Sequence, residues 1–276
     1  MSRNLLSIVG VSAVLVAAPL CAAGAADMGM PLKAPPPPLP VASWTGCYVD
    51  GGVGYGLWNQ DHSVTGPFGA GGTSATTATT TDGGRGWLGR FGGGCDYQTP
   101  LLNNSVVIGA FGDYDWMDLK GSNSPSELFP TGGAGSSPIS ANVKETGAWY
   151  AGGRIGYLPY PNLMTFFSGG WTGTRFTSSP EFQTATGAPI GFTYPASYTV
   201  TGWFLGGGYE YKLPWASGLF WKTEYRFAEY QGINLTEASL AGVPDGNVQH
   251  NQSFVQTVTT NLVWKFNWGG PITTRY

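Results

Sequence analysis

The sequence predicts an all-β fold: a transmembrane, antiparallel, up-and-down barrel of eight strands, with short periplasmic turns at one end and long extracellular loops at the other. Three observations carry this. The first is segment 251–266, NQSFVQTVTTNLVWKF, where Phe254, Val258, Leu262, Trp264 and Phe266 alternate with Thr257, Thr259, Asn261 and Lys265. Successive side chains of a strand point to opposite faces, so the run has one apolar face and one mostly polar face. Its length and aromatic ending match a tilted membrane-crossing strand. The second observation is that the rest of the chain repeats this pattern. The third is that the connections between repeats alternate in length. Composition agrees, since 44 glycines, 14% aromatic and 11% charged residues describe strands and turns rather than a helical bundle or a disordered chain.

In chain order, residues 1–26 read as a signal peptide. Arg3 gives a positive start, 5–20 form a charge-free apolar run, and small residues Ala22 to Ala26 offer a cleavage site before Asp27. Lipoprotein processing at Cys21 is disfavoured by the bulky Leu20 before it. Segment 27–43 contains KAPPPPLP and reads as an extended, polyproline-like periplasmic tail. The barrel then occupies 44–276, with strands expected over 44–58, 86–98, 105–118, 143–158, 163–176, 198–212, 218–230 and 251–266. The connections 99–104, 159–162 and 213–217 are short and suit hairpin turns. Those over 59–85, 119–142, 177–197 and 231–250 are long and rich in Gly, Ser, Thr and Pro. A soluble sandwich has no reason to sort its connections this way; an outer-membrane barrel does.

Parity within the strands sorts the side chains. Trp87, Phe91, Cys95 and Tyr97 share a face opposite Arg90, Asp96 and Gln98; Ile108, Tyr114 and Trp116 oppose Asp113 and Asp115. Trp149, Ile155 and Tyr157 oppose Lys144 and Arg154; Trp203, Leu205 and Tyr209 oppose Glu210 and Lys212; Trp221, Tyr225 and Phe227 oppose Lys222, Glu224 and Arg226. A Lys or Arg facing lipid at the midplane costs ~2–4 kcal/mol, so the charged face is the lumen. Trp87, Trp116 and Phe227 fall towards the long-loop rim, and Tyr97, Tyr157, Tyr211, Trp264 and Phe266 towards the short-turn rim, as two aromatic girdles. The fifth strand, LMTFFSGGWTGTRF, is apolar on both parities and its facing stays open.

The run WTGCYVDGGVGYGLW after the proline-rich tail, with GWLGRFGGGCDYQ, GAFGDYDW, RIGY and the ending WKFNWGGPITTRY, resembles the small outer-membrane immunogenic, porin-like proteins of alphaproteobacteria. The resemblance implies an OmpA-like eight-stranded barrel in the Gram-negative outer membrane, exposed to host or environment. It also implies that Trp264 and Phe266 are the terminal aromatics of the signal read by the barrel-assembly machinery. Asn261 stands where that signal usually has Gly, Cys47 and Cys95 where the family usually has aromatics, and Asp50 and Phe111 also depart from its pattern.

Enzymatic constellations are weak. Asp61-His62-Ser63 places acid, base and hydroxyl side by side, but neighbours in an extended loop do not converge as a triad must. Gly92–Gly94 and Gly206–Gly208 lie within strands, with no helix following to cradle a phosphate. Asp50, Arg90, Asp96, Asp113, Asp115, Arg154, Glu210, Lys212, Lys222, Glu224, Arg226 and Lys265 instead form a nearly balanced set of lumen ions. A small barrel fills its bore with such side chains, and glycines such as Gly92, Gly152 and Gly206 leave room for long arginines.

Two smaller expectations concern pairs. If Trp44 lies opposite Gln98, Cys47 lies opposite Cys95, giving either a cross-strand disulfide in an oxidising compartment or two lipid-facing thiols. Barrel closure makes the loops bearing His62 and His250 neighbours, so the two imidazoles are a candidate ligand pair for a metal or haem iron, against a reading as two unrelated loop residues. No cofactor and no dedicated metal site is expected otherwise. Removing Arg3 leaves 12 of 13 basic residues against 16 acidic ones, with no basic run, which argues against nucleic acid. The expected partners are outer-membrane lipid and lipopolysaccharide, the assembly machinery, and host or surface ligands of mainly acidic loops bearing Asp61, Asp82, Glu127, Glu181, Glu237 and Asp245. The expected role is that of a monomeric, non-enzymatic surface protein with a filled lumen. A small porin-like channel, or a loop-borne ligand binder, is the alternative.

Overall fold

The computed structural model describes residues 43–67, 72–101, 104–124, 128–129 and 137–266. The expected signal peptide, almost all of the proline-rich segment and the end of the chain after Phe266 lie outside the described residues. The strands are β1 (Gly46–Gly66), β2 (Ala75–Thr76), β3 (Thr80–Leu101), β4 (Asn104–Asn123), β5 (Leu128–Phe129), β6 (Ser137–Tyr160) and β7 (Leu163–Ser178). They continue with β8 (Phe182–Gln183), β9 (Phe192–Thr193), β10 (Ser197–Lys212), β11 (Leu219–Tyr230), β12 (Ile233–Ser239) and β13 (Pro244–Phe266).

Eight of these, β1, β3, β4, β6, β7, β10, β11 and β13, pair antiparallel in chain order, and β13 pairs back with β1 from Cys47↔Phe266 to Thr65↔Val248. The ring is closed, so none of the eight is left as an unpaired edge. The five short strands decorate the long-connection end; β12 continues the line of β11 along β13 after a break at Gln231–Gly232.

The long connections were expected to be loops, and much of each is wall. β1 runs eight residues past Trp58, β3 begins six residues before Gly86, and β13 begins seven before Asn251. At ~3.3 Å per residue and a tilt near 40°, a 21-residue strand is about 50 Å tall, roughly twice the ~25 Å apolar band of such barrels. The upper wall leaves no apolar pattern in the sequence because its outward positions face water. Gly, Ser, Thr and Asn can occupy them, and the apolar signature disappears while the backbone pairing continues.

Facing follows the expected parity at most positions. Trp87, Phe91, Tyr97, Ile108, Trp116, Ile155 and Leu205 point outwards and Arg90, Asp96, Asp113, Asp115 and Arg154 inwards. Tyr55 with Trp87 and Tyr114 with Trp116 belong to an upper aromatic ring, and Tyr97, Tyr157, Trp221, Trp264 and Phe266 to a lower one. β7 turns Phe167 and Trp171 outwards and Met164, Phe166 and Phe176 inwards. Both of its parities are apolar because the bore has apolar layers as well as ionic ones. Lys144 corrects the expectation: a register shift between Glu145 and Gly147 reverses parity above it, so Glu145 is buried and Lys144 lies on the outer face.

Candidate functional site

The bore is filled in layers. At the short-turn end Trp44, Tyr48, Val107, Met164, Phe166, Phe220 and Val263 form one apolar cluster. Further up, Trp58, Leu119, Tyr150, Phe176, Phe204 and Tyr230 belong to a second. Charged side chains lie between and against these layers, buried from solvent.

The lower ionic group is built on Arg154. Its Nε and Nη2 donate to the two carboxylate oxygens of Asp96 at 2.9 and 2.5 Å, and its Nη1 donates to Glu210 at 2.9 Å. Lys265 Nζ reaches the same two acids at 2.8 and 2.9 Å. Lys222 pairs with Asp50 at 2.6 Å, and Asn261 Nδ2 donates to the same Asp50 oxygen at 2.6 Å. Asn261 therefore has a use inside the bore. The upper group has two arginines: Arg90 forks onto Asp115 at 2.6 Å through both Nε and Nη2, and Arg226 forks onto Asp113 at 2.7 and 2.8 Å. Glu224 lies between them, 3.3 Å from Arg90 and 2.8 Å from Arg226, and accepts from Ser168 at 2.7 Å.

Aromatic faces hold the cations in place. Arg226 lies 4.8 Å from the Tyr150 ring centre and 5.2 Å from that of Phe204; Arg154 lies 4.6 Å from Tyr48, and Lys265 4.6 Å from Trp44. Forked, charge-assisted bonds are the geometry in which buried ions recover most of their desolvation cost, and leaving one unpaired costs several kcal/mol. The arrangement ties opposite walls together. It offers no free nucleophile beside a base, and its arginines stay protonated, so proton transfer is a poor use of it.

Eleven of the twelve expected lumen ions are brought together in this way. Lys212 is not: it ends β10 at the open short-turn mouth, half-buried, and takes part in none of the ion pairs of the described residues. Cys47 lies opposite Cys95 in register, with Cα atoms 3.9 Å apart and the sulfurs joined, on the outer face of β1 and β3. Trp264 and Phe266 lie outwards with ring centres 5.4 Å apart.

The histidine pair is corrected. His62 and His250 stand in β1 and β13 rather than on loops, and Ser63, not His62, faces His250. Adjacent register positions present opposite faces, so His62 is buried in the bore and shares a hydrogen bond with Thr80 Oγ1 at 2.8 Å. His250 faces out and contacts Asn234 Oδ1 at 2.8 Å. Two imidazoles on opposite sides of one sheet cannot share an ion. Among the described residues no group of three or more His, Cys, Asp or Glu side chains is placed to hold a metal.

Sequence reasoning missed a polar layer above the second apolar cluster. Gln60 Nε2 donates to Tyr198 Oη at 2.8 Å and to Ser253 Oγ at 2.9 Å, with Asn123, Asn251 and His62 buried around it. The signal was present in Trp58, Gln60, His62 and Val64, which continue the inward parity of β1. The acidic loops are also less exposed than expected, because Glu181 and Glu237 are buried; Glu127 lies outside the described residues.

No family model and no curated protein matches the chain. Among solved structures it is similar to the outer membrane protein AlkL at 14% identity, covering 84% of this chain and 97% of that one with a TM-score of 0.42. It is similar to the outer membrane protease OmpT of Escherichia coli at 10% identity, covering 79% and 97% with a TM-score of 0.39. Neisserial surface protein A matches at 13%, covering 80% and 98% with a TM-score of 0.35. At these identities and scores no activity carries over.

Proposed function

We propose that the protein is a lipid-embedded barrel of the Gram-negative outer membrane that serves as a structural, surface-presenting protein and not as an enzyme or an open pore. Membrane insertion is supported by the outward band that includes Val53, Phe91, Ile108, Ile155, Phe167, Leu205, Val258 and Leu262, and by the aromatic rings above and below it. In water such a surface would be a large unprotected apolar patch. The short turns face the periplasm and the tall wall faces outwards, as in barrels of this kind. The finer assignment to the immunogenic, OmpA-like proteins of alphaproteobacteria rests on the sequence resemblance. Trp264 and Phe266, outward at the end of β13, are the assembly signal in this reading.

The observation that carries the filled-lumen reading is the pair of bore-crossing arginines, Arg154 and Arg226, each forked onto one carboxylate and bonded to a second. An eight-stranded bore is only wide enough for its own side chains, and here they are bonded to each other across it. Planar-bilayer recording tests the reading: the wild type is expected to pass small ions rarely and sugars not at all. Large, steady conductance would replace it with the channel reading.

A further inference from the structure

Among the described residues, the cations outside the bore are not scattered. Lys212 sits at the short-turn mouth; the other four, Arg85, Lys120, Lys144 and Arg175, lie on the outer face of four consecutive wall strands, β3, β4, β6 and β7. Arg85 is directly opposite Lys120, and Lys120 is directly opposite Lys144. Arg175 is two residues below Thr177, the partner of Lys144 on the next strand. Like charges directly opposite on neighbouring strands destabilise a sheet. The visible compensation is one carboxylate, Asp118, shared by Lys120 at 3.1 Å and Lys144 at 2.6 Å.

The row has a defined height. On the same four strands, two to five residues nearer the membrane centre, stand Trp87, Trp116, Trp149 and Trp171, all exposed on the outer face. Tryptophan at that level marks the boundary between acyl chains and headgroups, so the cations stand at the headgroups. Over Lys120 and Lys144 the wall carries an open groove of about 410 Å³, also lined by Asn142, Thr177 and Ser179, side chains able to hydrogen-bond a sugar.

We propose that Arg85, Lys120, Lys144 and Arg175 form a docking site for the anionic sugar headgroup of an outer-leaflet glycolipid, with its acyl chains lying against the tryptophans below. Three or four cations around one carboxylate fit a headgroup bearing phosphate or carboxylate groups, and a zwitterionic phospholipid would leave the row uncompensated. The inference rests on the membrane-spanning reading above, and its test separates the two.

The wild type and a Lys120→Gln/Lys144→Gln variant are inserted into phosphatidylcholine nanodiscs. Insertion is scored first, by β-sheet circular dichroism and a heat-dependent gel shift. Failure of the wild type to insert defeats the membrane reading itself. Inserted samples are then titrated with fluorescent diphosphoryl lipid A and, separately, with its dephosphorylated form, read by energy transfer from tryptophan. The wild type is expected to prefer the phosphorylated lipid, with the variant roughly 10-fold weaker and the difference shrinking as salt is raised. Equal affinity of wild type and variant, or of the two lipids, would overturn the site while leaving the barrel intact. Adding Arg85→Gln and Arg175→Gln should remove the remaining preference; a preference that survives in the fourfold variant also overturns it.

Discussion

Replacing Arg226 with Met removes one of the two forked arginine ties across the bore while keeping much of the side chain's volume. The guanidinium makes two bonds to Asp113 and one to Glu224, all between 2.7 and 2.8 Å, and stacks near Tyr150, Phe111 and Phe204. Without it, Asp113 is left with Arg90 at 3.8 Å, while Glu224 keeps Arg90 at 3.3 Å and Ser168 at 2.7 Å. One carboxylate is thus nearly stranded and the other is partly supported. Breaking one side of a buried ion pair costs about 3–5 kcal/mol, and the support left to Glu224 places this case near the lower end. The second half of the test is Arg226→Met with Asp113→Asn, which removes the stranded charge and should restore at least ~1–2 kcal/mol. Urea unfolding in detergent micelles, followed by tryptophan fluorescence, measures both, and bilayer recording asks whether the single variant conducts more often. A single variant within ~0.5 kcal/mol of wild type, with unchanged conductance, would refute the claim that this arginine holds the plug.

Three further outcomes follow from other parts of the molecule. The Cys47–Cys95 bridge closes a loop of 48 residues, so Cys47→Ser/Cys95→Ser should lower stability by up to about 4 kcal/mol on the chain-entropy account; an unchanged urea midpoint would contradict it. A Cβ on Gly206 would lie 2.6 Å from Ser168 Oγ, 2.9 Å from the Tyr225 carbonyl and 3.0 Å from Arg226 Cγ. Gly206→Ala should therefore cost ~1–3 kcal/mol by overpacking, where Gly89→Ala, with open space at its Cβ, should cost far less. Burial chiefly, together with Asp245 beside it, raises the carboxyl of Glu237 above its usual range, against opposing hydrogen bonds from Glu181 and Asn247. The protonated form is then favoured by folding. Its stabilising effect is complete below the ordinary glutamate value and lost as pH rises through the raised one. Amide protection factors over β12, with the intrinsic pH dependence of exchange divided out, should fall from pH 4 to neutrality, and Glu237→Gln should flatten that dependence.

The fold was legible because the lower wall obeys a strict rule: lipid on one side demands apolar side chains, and the bore receives the charges. That rule located all eight wall strands, most of their faces and the alternation of their connections. It also located eleven members of the ionic set; the pairing of Cys47 with Cys95 needed a separate supposition, that Trp44 lies opposite Gln98. It stops working where lipid stops. Gln60, His62 and Gln249 read as loop because outward neighbours such as Asn59 and His250 are polar, although the chain there is paired strand. Parity counting places Lys144 in the bore because it cannot see the shift between Glu145 and Gly147, and no sequence signal at Thr146 announces it. The basic row was invisible for a different reason. Arg85, Lys120, Lys144 and Arg175 are scattered in sequence, and only the register of four strands lines them up.

The layered bore has a consequence for how the chain reaches its final state. Arg226 and Asp113 are 113 residues apart, Arg90 and Glu224 134, and Lys265 and Asp96 169. Each bond joins an early strand to a late one. None can form in a half-built sheet whose first and last strands have not met. Before closure only neighbours such as Arg90 and Asp115, opposite each other on β3 and β4, have a partner within reach. At closure the ions dehydrate together, and only if every strand has the right register, since a slip of one residue would turn arginines to the lipid and aromatics to the bore. The bore thus acts as a late checkpoint on assembly: contacts of such long range give slow, cooperative completion, and a misregistered ring has no matching set of charges to lock it.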